Sequence, residues 1–540
     1  MANRATTKKV NCLVARPAVD QAAKASARAS PMPYAPPPLP ASMVSSLDIC
    51  LVASEVAPFA KTGGLADVTA ALTRYLVKAG HRARCVMPYY RRVAEAHPAD
   101  LVDDMDDIPF QVGDRELRFG VRSGSVLSPS EGSDAAVWGA EVWFIDCPEL
   151  YDREGIYCED GDEHLRFGLL PRAAIAACQW AQWGPDIFHC NDWHAALLPL
   201  WLEAMYAWDE LFSTTRTVLT IHNIGYQGTY PASVVEELGL GDVRKHLHQQ
   251  DLTEGRVNFL KTGLMYANAL TTVSATYAEE IRTQEYGMGL SETLEARKAV
   301  LSGIVNGVDY DEWSPEKDTL IPAHYSRDDL AGKDACRAAL LERLALAPEP
   351  SGPVLGIVSR MTAQKGFDLL QDSLPVLLQR EDVRLCVLGA GDVRYERYFQ
   401  WLHERFPRQA AFQGGYDNEL AHWIEAGADV FLMPSRYEPC GLNQMYSLRY
   451  GTPPVVRRTG GLADTVEDWK PDGQSGTGFV FDDFDAHALV GALERVLDTW
   501  RAPDAWAKLV QNAMAVDWSW DQQVERYVEL YKRLVPATLE

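Results

Sequence analysis

The feature that most constrains the fold is a regular alternation of short apolar runs and helical segments in the second half of the chain. Five such runs occur, most of them followed by a helical stretch: Val354–Ser359, Arg384–Leu388, Ala411–Gln413, Asp429–Met433 and Pro454–Arg457. Runs of this length, bounded by turn residues, are typical of buried strands. Because strand and helix alternate, the pattern predicts a parallel, doubly wound α/β sheet with right-handed crossovers.

The first half of the chain has the same pattern. Its apolar runs are Leu47–Ala57, Arg84–Pro88, Val142–Ile145, Ile187–His189, Thr217–Ile221, Ala269–Val273 and Ser302–Val305. With 540 residues the chain is too long for one ordinary core. We therefore predict two Rossmann-like domains facing across a deep cleft.

The predicted domains span residues 47–310 and 311–519. A C-terminal segment, 520–540, contains a helix over Trp520–Leu534 that we expect to pack back on the first domain. The acidic region Leu101–Glu141 is interpreted as mainly loop.

The composition of the chain argues against several classes of binding partner. The net charge of −24 argues against nucleic acid or an anionic membrane as the main ligand. No apolar run is long enough to span a bilayer. The ten cysteines show neither CxxC pairs nor Cys/His metal spacing, a pattern that fits reduced thiols in an intracellular compartment. We expect no metal site.

Residues 1–46 differ from the rest of the chain. They are rich in Ala, Ser, Pro and basic residues, and Asp20 is their only acidic residue. A leader of this composition is typical of an organelle transit peptide. The alternative is a disordered tail that is not removed.

The most informative stretch runs from Pro434 to Asp464. Glu438 is followed by Pro-Cys-Gly and then by a helical stretch, all directly after an apolar run. A carboxylate, a glycine turn and a helix N-terminus thus meet at one strand end, which is where open α/β sheets bind ligands and phosphates. Taken alone, the same residues also fit a plain strand-to-helix loop.

Two cations follow the first strand of the second half. Arg360 and Lys365 are five residues apart and lead into a helix, an arrangement that suits a pyrophosphate. Arg can hold two oxygens in a fork, and Lys can supply a point charge to a leaving group. Each one alone is equally compatible with a solvated surface cation. Tyr416 follows two glycines, and its ring can either stack on a base or cap the core.

Polar clusters also follow three predicted strands in the first half. They contain Lys61, Gly64 and Asp67 in the first, Asp192 and His194 in the second, and His222 and Asn223 in the third. A single histidine of this kind is most often structural. Three clusters at one edge of a sheet instead predict a binding site.

Seven motifs, in order along the chain, resemble those of the bacterial glycogen synthase and plant starch synthase family. They are KTGGLADV, NDWHA, HNIGYQG, VNGVD, SRMTAQKG, EPCGLNQM and TGGLADTV. The resemblance covers roughly Leu47 to the C-terminus and is strongest to starch synthase classes III and IV. It implies the GT-B fold and retaining transfer of glucose from ADP-glucose to the non-reducing end of an α-1,4-glucan, with no cofactor.

The resemblance also implies roles for individual residues. Glu438 would lie near the donor glucose and be required for transfer, and His222 would line the reacting centre. Asp192 and His194 would support the sugar-binding side. Arg360 and Lys365 would hold the diphosphate, and Tyr416 would stack on adenine. The remaining substrate contacts implied are Lys61, Gly64, Asp67, Asn223, Asn306, Cys440, Gly441, Leu442 and Asn443.

The chain departs from the family pattern at two positions. Asn443 stands where many relatives have Thr, which puts a hydroxyl contact to phosphate in doubt. The wider GT-B pattern has two glutamates eight residues apart, and Tyr446 stands in place of the second. This replacement puts the recognition of the ribose in doubt.

Three alternative functions stay open. A UDP-glucose user would keep the same chemistry, because Tyr416 can stack on either base. A non-catalytic glucan-binding scaffold is expected to lack Glu438, Lys365 or His222, all of which are present. A glucan phosphorylase would need a lysine-bound pyridoxal phosphate.

Overall fold

A computed structural model describes residues 46–102, 105–127, 139–158 and 160–535. The predicted leader, 1–46, lies outside these residues apart from its last position. Contacts divide the chain into two compact units. The first comprises the described residues of Met1–Leu219, Tyr226–Asn268 and Leu534–Glu540, and the second comprises Thr220–Gly225 and Ala269–Arg533.

Strands and helices alternate through the first unit. In chain order they are β1 (Asp48–Val52), α1 (Gly64–Lys78), β2 (Arg82–Pro88), α2 (Arg91–Ala96), β3 (Asp100–Leu101), β4 (Ile108–Val112), β5 (Arg115–Leu127), β6 (Gly139–Asp146), α3 (Pro148–Tyr151), α4 (Glu163–Trp180), β7 (Ile187–Asn191), α5 (Asp192–Ala195), α6 (Leu198–Met205), β8 (Arg216–Ile221), β9 (Thr229–Pro231), α7 (Val234–Glu237), α8 (Gln249–Thr253), β10 (Arg256–Asn258) and α9 (Phe259–Tyr266). The last two residues of β8 belong to the second unit.

Within this unit the sheet order is β8-β7-β1-β2-β6-β5-β3. Strand β1 lies between β7 and β2 and pairs in parallel with both, and β2 pairs in parallel with β6. The run Ile49–Val52 is fully buried, because helices cover both faces of a parallel sheet.

The interpretation of Leu101–Glu141 as loop is wrong. Strands β4 and β5 form an antiparallel hairpin there, with Val112 opposite Arg115 across the two-residue turn Gly113-Asp114. Residues of β4 alternate between buried and exposed. A search for continuous apolar runs misses such a strand, since one face of an antiparallel pair can remain in water.

The second unit continues the alternation. Its elements are β11 (Ala269–Thr272), α10 (Ala275–Glu280), α11 (Ser291–Ala296), β12 (Leu301–Gly303), α12 (Ala331–Arg343), β13 (Val354–Val358), α13 (Leu370–Arg380), β14 (Arg384–Gly389), α14 (Val393–Arg405), β15 (Ala410–Gly414), α15 (Asn418–Gly427), β16 (Val430–Met433), α16 (Asn443–Arg449), β17 (Pro454–Arg457), α17 (Gly460–Thr465), β18 (Phe479–Phe481), α18 (Ala486–Trp500), α19 (Pro503–Met514) and α20 (Trp520–Leu534).

The main sheet of this unit has the order β15-β14-β13-β16-β17-β18, and all its strand pairs are parallel. In chain order this is 3-2-1-4-5-6, the order of a Rossmann sheet. The direction of winding reverses between β13 and β16. Ligands of such sheets bind in the crevice at the carboxyl ends of the strands beside this reversal.

The C-terminal helix begins against the segment Asn306–Val308. The backbone of Ser519 pairs with Val308, and a Cβ added at Gly307 would lie 2.6 Å from the indole of Trp520. The helix thus contacts residues inside the predicted range 47–310. Those residues group with the second compact unit.

Candidate active site

Glu438 and Lys365 meet at the reversal point of the second sheet. Glu438 follows β16 and is 5% exposed. Its Oε2 lies 2.6 Å from Nζ of Lys365 and accepts a hydrogen bond of 3.0 Å from the Ser435 hydroxyl. Lys365 ends a short 3-10 turn after β13. The structure therefore brings together two predicted residues that are 73 positions apart, and adds Ser435, which sequence reasoning missed.

The loops that carry these two residues are joined through their backbones. The N–H of Arg436 donates to the carbonyl of Gln364 at 2.8 Å. A Cβ at Gly366, whose φ is +71°, would lie 1.8 Å from the carbonyl oxygen of Pro434. Only glycine permits this approach, which explains the glycine that follows Lys365 in the SRMTAQKG motif.

The TGGLADTV motif supports the backbone of Glu438 from the other side. The N–H of Gly461 donates to the Glu438 carbonyl at 3.0 Å. A Cβ at Gly460 would lie 1.9 Å from that carbonyl oxygen, and one at Gly461 would lie 2.1 Å from the carbonyl oxygen of Cys440. The motif is therefore a packing surface for the loop that holds Glu438.

Helix α10 and the residues before it brace the same loop. The Ser274 hydroxyl donates to the carbonyl of Pro439 at 2.6 Å. Thr276 donates through its backbone N–H and its hydroxyl to the carboxylate of Asp464. These polar partners are 165 and 188 residues apart in the chain, so no local pattern in the sequence indicates them.

Glu280, at the end of α10, completes this brace. Its Oε1 accepts hydrogen bonds from the Thr459 hydroxyl at 2.8 Å and from the Gly460 N–H at 3.0 Å. Burial raises the pKa of Glu280, although these two hydrogen bonds favour the ionised form. The carboxylate thus caps the first turn of α17.

The residues after Glu438 turn the chain into α16. Gly441 has φ of +73°, and a Cβ there would lie 2.4 Å from Oε1 of Gln444. Leu442 directly precedes the helix, and Nδ2 of Asn443 donates to the Val358 carbonyl at 3.0 Å. Asn443 therefore ties the start of α16 to the end of β13, a contact that Thr is too short to make. Burial raises the pKa of the Cys440 thiol to about 12, so the thiol is neutral at physiological pH.

Tyr446, which replaces the second glutamate of the wider pattern, lies in an aromatic stack. Its ring is 4.0 Å from that of Trp313 with an interplanar angle of 3°, and the other face of Trp313 stacks on His422 at 3.7 Å. Nδ1 of His422 lies 2.7 Å from Oδ2 of Asp318. Position 446 thus serves helix packing here, and a carboxylate would lose the stack.

Arg360 and Tyr416 follow β13 and β15, two strands of the same sheet that are separated by β14. Arg360 follows β13 and is exposed, and among the described residues its guanidinium has no ion-pair partner. Tyr416 follows β15, is 79% exposed, and donates its hydroxyl to Oδ1 of Asn418 at 2.9 Å. The alternative that Tyr416 caps the core is excluded by this exposure. Both side chains are accessible to a ligand at this edge.

His222 and Asn223 lie at the end of β8, in the segment that groups with the second unit. Burial lowers the pKa of His222 to about 3, although the residue as a whole is only half-buried. The imidazole is therefore neutral at physiological pH. Oδ1 of Asn223 accepts a hydrogen bond of 2.9 Å from the Gly225 N–H. Asn306 is buried beside the Cys440 thiol.

In the first unit, the predicted Lys61 loop is held by two residues that sequence reasoning missed. Glu55, which is buried after β1, accepts hydrogen bonds from the N–H and hydroxyl of Thr62 at 2.5 and 2.7 Å. The Tyr157 hydroxyl donates to the same carboxylate at 2.6 Å. In the sequence, the only indication of a role for Glu55 is its position directly after an apolar run. The glycine motif that follows it is the more conspicuous feature.

Lys61 and Asp67 form an ion pair across this loop, with 2.8 Å between Nζ and Oδ1. Burial raises the pKa of Asp67, and Lys61 opposes that rise. Gly64 is the first residue of α1. The predicted members of the first cluster are therefore neighbours in the fold.

Asp192 and His194 lie at the end of β7, as predicted. Asp192 is buried, and its φ of +54° places it in the left-handed region, which is unusual for a residue other than glycine. Such a conformation persists only where the surrounding structure imposes it, and it is common at functional sites. The ring of His194 stacks on Tyr157 at 5.2 Å, which joins this cluster to the Lys61 loop.

The predicted site residues thus form two sets. Lys61, Gly64, Asp67, Asp192 and His194 lie in the first unit, and all the others lie in the second. That both sets line one cleft stays a prediction. Within the described ranges, no group of three or more His, Cys, Asp or Glu side chains is arranged to hold a metal ion, and no helix is long and apolar enough to cross a membrane.

Comparison with known proteins agrees with the motifs. Residues 48–296 match the starch synthase catalytic domain, and residues 342–513 match the glycosyl transferases of group 1. A glycogen synthase of Koribacter versatilis is 44% identical over 492 residues, which cover 90% of this chain and 98% of that protein. A glycogen synthase of Anaeromyxobacter dehalogenans is 43% identical over 501 residues, covering 91% and 100%.

Among solved structures, the catalytic domain of starch synthase IV from Arabidopsis thaliana, bound to ADP and acarbose, superposes with a TM-score of 0.81. It is 33% identical, and the match covers 91% of this chain and all of that one. The predicted two-domain GT-B fold is therefore confirmed. The chain belongs to the glycogen and starch synthase family, whose members elongate glucans by glycosyl transfer.

Proposed function

We propose that this glucan-elongating glycosyltransferase uses ADP-glucose as donor and the non-reducing end of an α-1,4-glucan as acceptor, with retention of the anomeric configuration. The observation that carries the proposal is the pairing of buried Glu438 with partly buried Lys365 at the reversal point of a Rossmann sheet. The starch synthase IV structure was obtained with ADP, which supports the choice of nucleotide.

In this proposal the diphosphate binds beside Arg360 and Lys365. Arg360 is accessible and supplies a fork of N–H donors, while Lys365 supplies a charge close to Glu438. As the bond between glucose and diphosphate breaks, negative charge develops on the leaving oxygen, and fixed cations stabilise it. The two side chains make a metal ion unnecessary for this step.

Glu438 would act on the sugar side of the same bond. Lys365 and Ser435 hold its Oε2, so contacts within the protein set the orientation of the carboxylate. A carboxylate fixed in this way stabilises positive charge that develops at the sugar ring in the transition state. Neutral His222 would hydrogen-bond a sugar hydroxyl without adding a competing charge.

Tyr416 would carry the base. Its ring is exposed at the sheet edge, and its hydroxyl is oriented by Asn418. A flat exposed ring suits a purine or a pyrimidine, so the donor base must be tested directly. In the first unit, the joined clusters of Lys61, Asp67, Asp192 and His194 would hold the acceptor side.

The decisive experiment is transfer of labelled glucose to glycogen, with ADP-glucose and UDP-glucose compared at equal concentration. We expect ADP-glucose to give the higher kcat/KM. Preference for UDP-glucose would contradict the donor assignment and leave the transfer reaction standing. Absence of transfer from both donors, with glucan still bound, would favour a scaffold. Pyridoxal absorbance in the purified protein would indicate a phosphorylase.

We further propose that residues 1–46 direct the protein to a plastid, because their composition is basic and poor in acidic residues. A fusion of these residues to a fluorescent protein should enter isolated chloroplasts and be shortened there. A fusion that stays outside and uncut would favour the cytoplasmic alternative.

A further inference from the structure

A methionine occupies a turn whose backbone favours glycine. The loop between α10 and α11 contains Gly287, Met288 and Gly289, and the N–H of Leu290 donates to the Gly287 carbonyl at 2.7 Å. The two central residues of this turn, Met288 and Gly289, have φ values of +45° and +86°. Turns with positive φ at both central positions are dominated by Gly, Asn and Asp. Met288 therefore departs from the preference of its own backbone.

Packing of the core does not account for this methionine. Met288 is 42% exposed, whereas Leu290, at the end of the turn, is 2% exposed and anchors the loop. Gly287 has a packing reason of its own, because a Cβ there would lie 2.6 Å from the carbonyl oxygen of Ile281. A residue that breaks a local rule without filling the core is a candidate for a functional role, since strained conformations cluster at functional sites.

Met288 lies against the segment that follows β8. A Cβ added at Gly225 would lie 3.7 Å from Sδ of Met288 and 3.8 Å from the hydroxyl oxygen of Tyr437. The thioether and the phenol thus border the same point, and all three residues belong to the second unit. Gly225 is three residues beyond His222, and Tyr437 directly precedes Glu438. Met288 therefore lies beside the two loops to which the proposed function assigns the reacting sugar.

The side chains at this point suit a neutral sugar. A thioether carries no charge, accepts only weak hydrogen bonds and packs well on C–H groups. The Tyr437 hydroxyl and the Asn223 amide beside it are polar groups that can meet hydroxyls. A pyranose ring has both features, an apolar face of C–H groups and a rim of hydroxyls. The charged diphosphate and the base of the donor are assigned to Arg360 and Tyr416, which follow other strands.

The acceptor needs such a contact more than the donor does. The donor glucose is covalently joined to a diphosphate, and cations hold that group. An α-1,4-glucan carries no charge, so apolar contacts and hydrogen bonds alone must orient its terminal unit for reaction.

We propose that the side chain of Met288 packs on the glucose unit at the non-reducing end of the acceptor and contributes to acceptor specificity. The proposal rests on the proposed function, and it assigns to that reaction a contact from a loop that none of the sequence motifs includes.

The contact is tested first without turnover. In full-length protein with isotope-labelled methionine methyl groups, the NMR signal of Met288 is identified by its absence from Met288→Leu. ADP is added first and maltotriose second. We expect the Met288 signal to shift on addition of maltotriose. A signal that stays in place throughout the maltotriose titration would overturn the proposal, and so would one that shifts with ADP alone.

Steady-state kinetics then compare Met288→Gly with Gln474→Gly. Gln474 is exposed at a φ of +46°, so it is a control matched in backbone conformation. Glycine suits a positive φ, and both variants should keep a Tm near that of the wild type. We expect Met288→Gly to raise the KM for maltotriose about fivefold, in line with the loss of a partly buried apolar side chain. The KM for the nucleotide sugar should not change.

Met288→Leu, which keeps an apolar side chain, should retain most of the affinity for maltotriose, and Gln474→Gly should resemble the wild type. An unchanged KM for maltotriose in Met288→Gly would overturn the proposal. An equal rise in the KM for both substrates, or a Tm well below that of Gln474→Gly, would show that the side chain serves packing instead. Absence of transfer from any nucleotide sugar would refute the proposed function alone, because the methyl signal still reports the contact.

Discussion

At the scale of single residues, the role proposed for Glu438 depends on how the charge of its carboxylate is balanced. The carboxylate is buried, and burial of an unpaired charge is costly, so Lys365 at 2.6 Å and the Ser435 hydroxyl stabilise it. A bound diphosphate would compete for the same ammonium group. In the proposed mechanism, the pair would therefore couple the charge of the donor to the electrostatics around the reacting sugar.

Removing either charge should affect turnover more than donor binding. We expect Glu438→Gln and Lys365→Ala to lower kcat about a hundredfold or more, because each removes a group that stabilises transition-state charge. Steady-state kinetics with ADP-glucose separate kcat from KM. Lys317→Ala, at an exposed ion pair of the same unit, should leave both parameters near wild type. A Glu438→Gln enzyme with kcat within tenfold of wild type would contradict the assignment.

The lowered pKa of His222 predicts how the stability of the protein depends on pH. The pKa of His222 is about 3 in the folded protein, below the ordinary value of 6.5. Between pH 6.5 and pH 3, the imidazole therefore binds a proton in the unfolded chain but not in the folded protein. The free energy of unfolding falls as the pH is lowered through this range. His222→Gln should reduce the stability lost between pH 7 and pH 5 by up to about 2 kcal/mol. Chemical denaturation at both pH values measures this loss.

The control for that measurement is His487→Gln, at an exposed histidine on α18. This substitution removes an exposed imidazole and leaves His222 in place. If His222→Gln and His487→Gln lost equal stability on acidification, protonation of His222 would not be linked to unfolding.

At the scale of elements, the Glu438 loop is held from two directions by segments distant in sequence. Helix α17 packs on its backbone, and α10 contacts both the loop and α17 through Ser274, Thr276 and Glu280. The glycines of TGGLADTV are needed because carbonyl oxygens of the loop occupy the space that side chains would take. The sequence motif identifies these glycines but does not show why glycine is needed. The reason is the close contact between α17 and the Glu438 loop, which only the folded structure shows.

A methyl group at Gly460 should therefore disturb the active site. Gly460→Ala would place a Cβ 1.9 Å from the Glu438 carbonyl oxygen at a φ of +43°, so we expect a lower Tm and a kcat reduced together with it. Gly491→Ala in the interior of α18 is the matched control, because nothing lies within 4 Å of the added Cβ. That substitution should stabilise the protein by about 0.5–1 kcal/mol. Equal Tm values for the two variants would refute the packing argument.

At the scale of the whole molecule, the sequence predicts the strands of the parallel sheets well. It predicts the antiparallel hairpin and the side-chain contacts between distant segments poorly. Strands β13, β14 and β16 coincide with predicted apolar runs, because both faces of each are buried. The hairpin of β4 and β5 was missed because its residues alternate between core and solvent. Tyr157 and Glu280 were missed for another reason: their partners Glu55 and Thr459 are 102 and 179 residues away in the chain.

A prediction at this scale concerns metal ions. If Arg360 and Lys365 supply the positive charge at the diphosphate, transfer from ADP-glucose should proceed at an unchanged rate after dialysis against EDTA. Arg360→Ala should not be rescued by added Mg²⁺ or Mn²⁺. A rate that falls with EDTA and recovers with a divalent cation would show that the enzyme depends on a metal ion.

The way the chain is shared between its compact units limits how the protein can be divided. The hexapeptide Thr220–Gly225, which contains His222, groups through its contacts with the second unit, whose main part begins at Ala269. The stretch between them, Tyr226–Asn268, groups with the first unit. No single cleavage point therefore yields two intact halves. A fragment beginning at Ala269 would lack His222, and a chimaera exchanging this unit with that of a relative would have to transplant the hexapeptide as well. Recombination within such a family is expected to succeed only when the hexapeptide and the segment from Ala269 onwards are exchanged together.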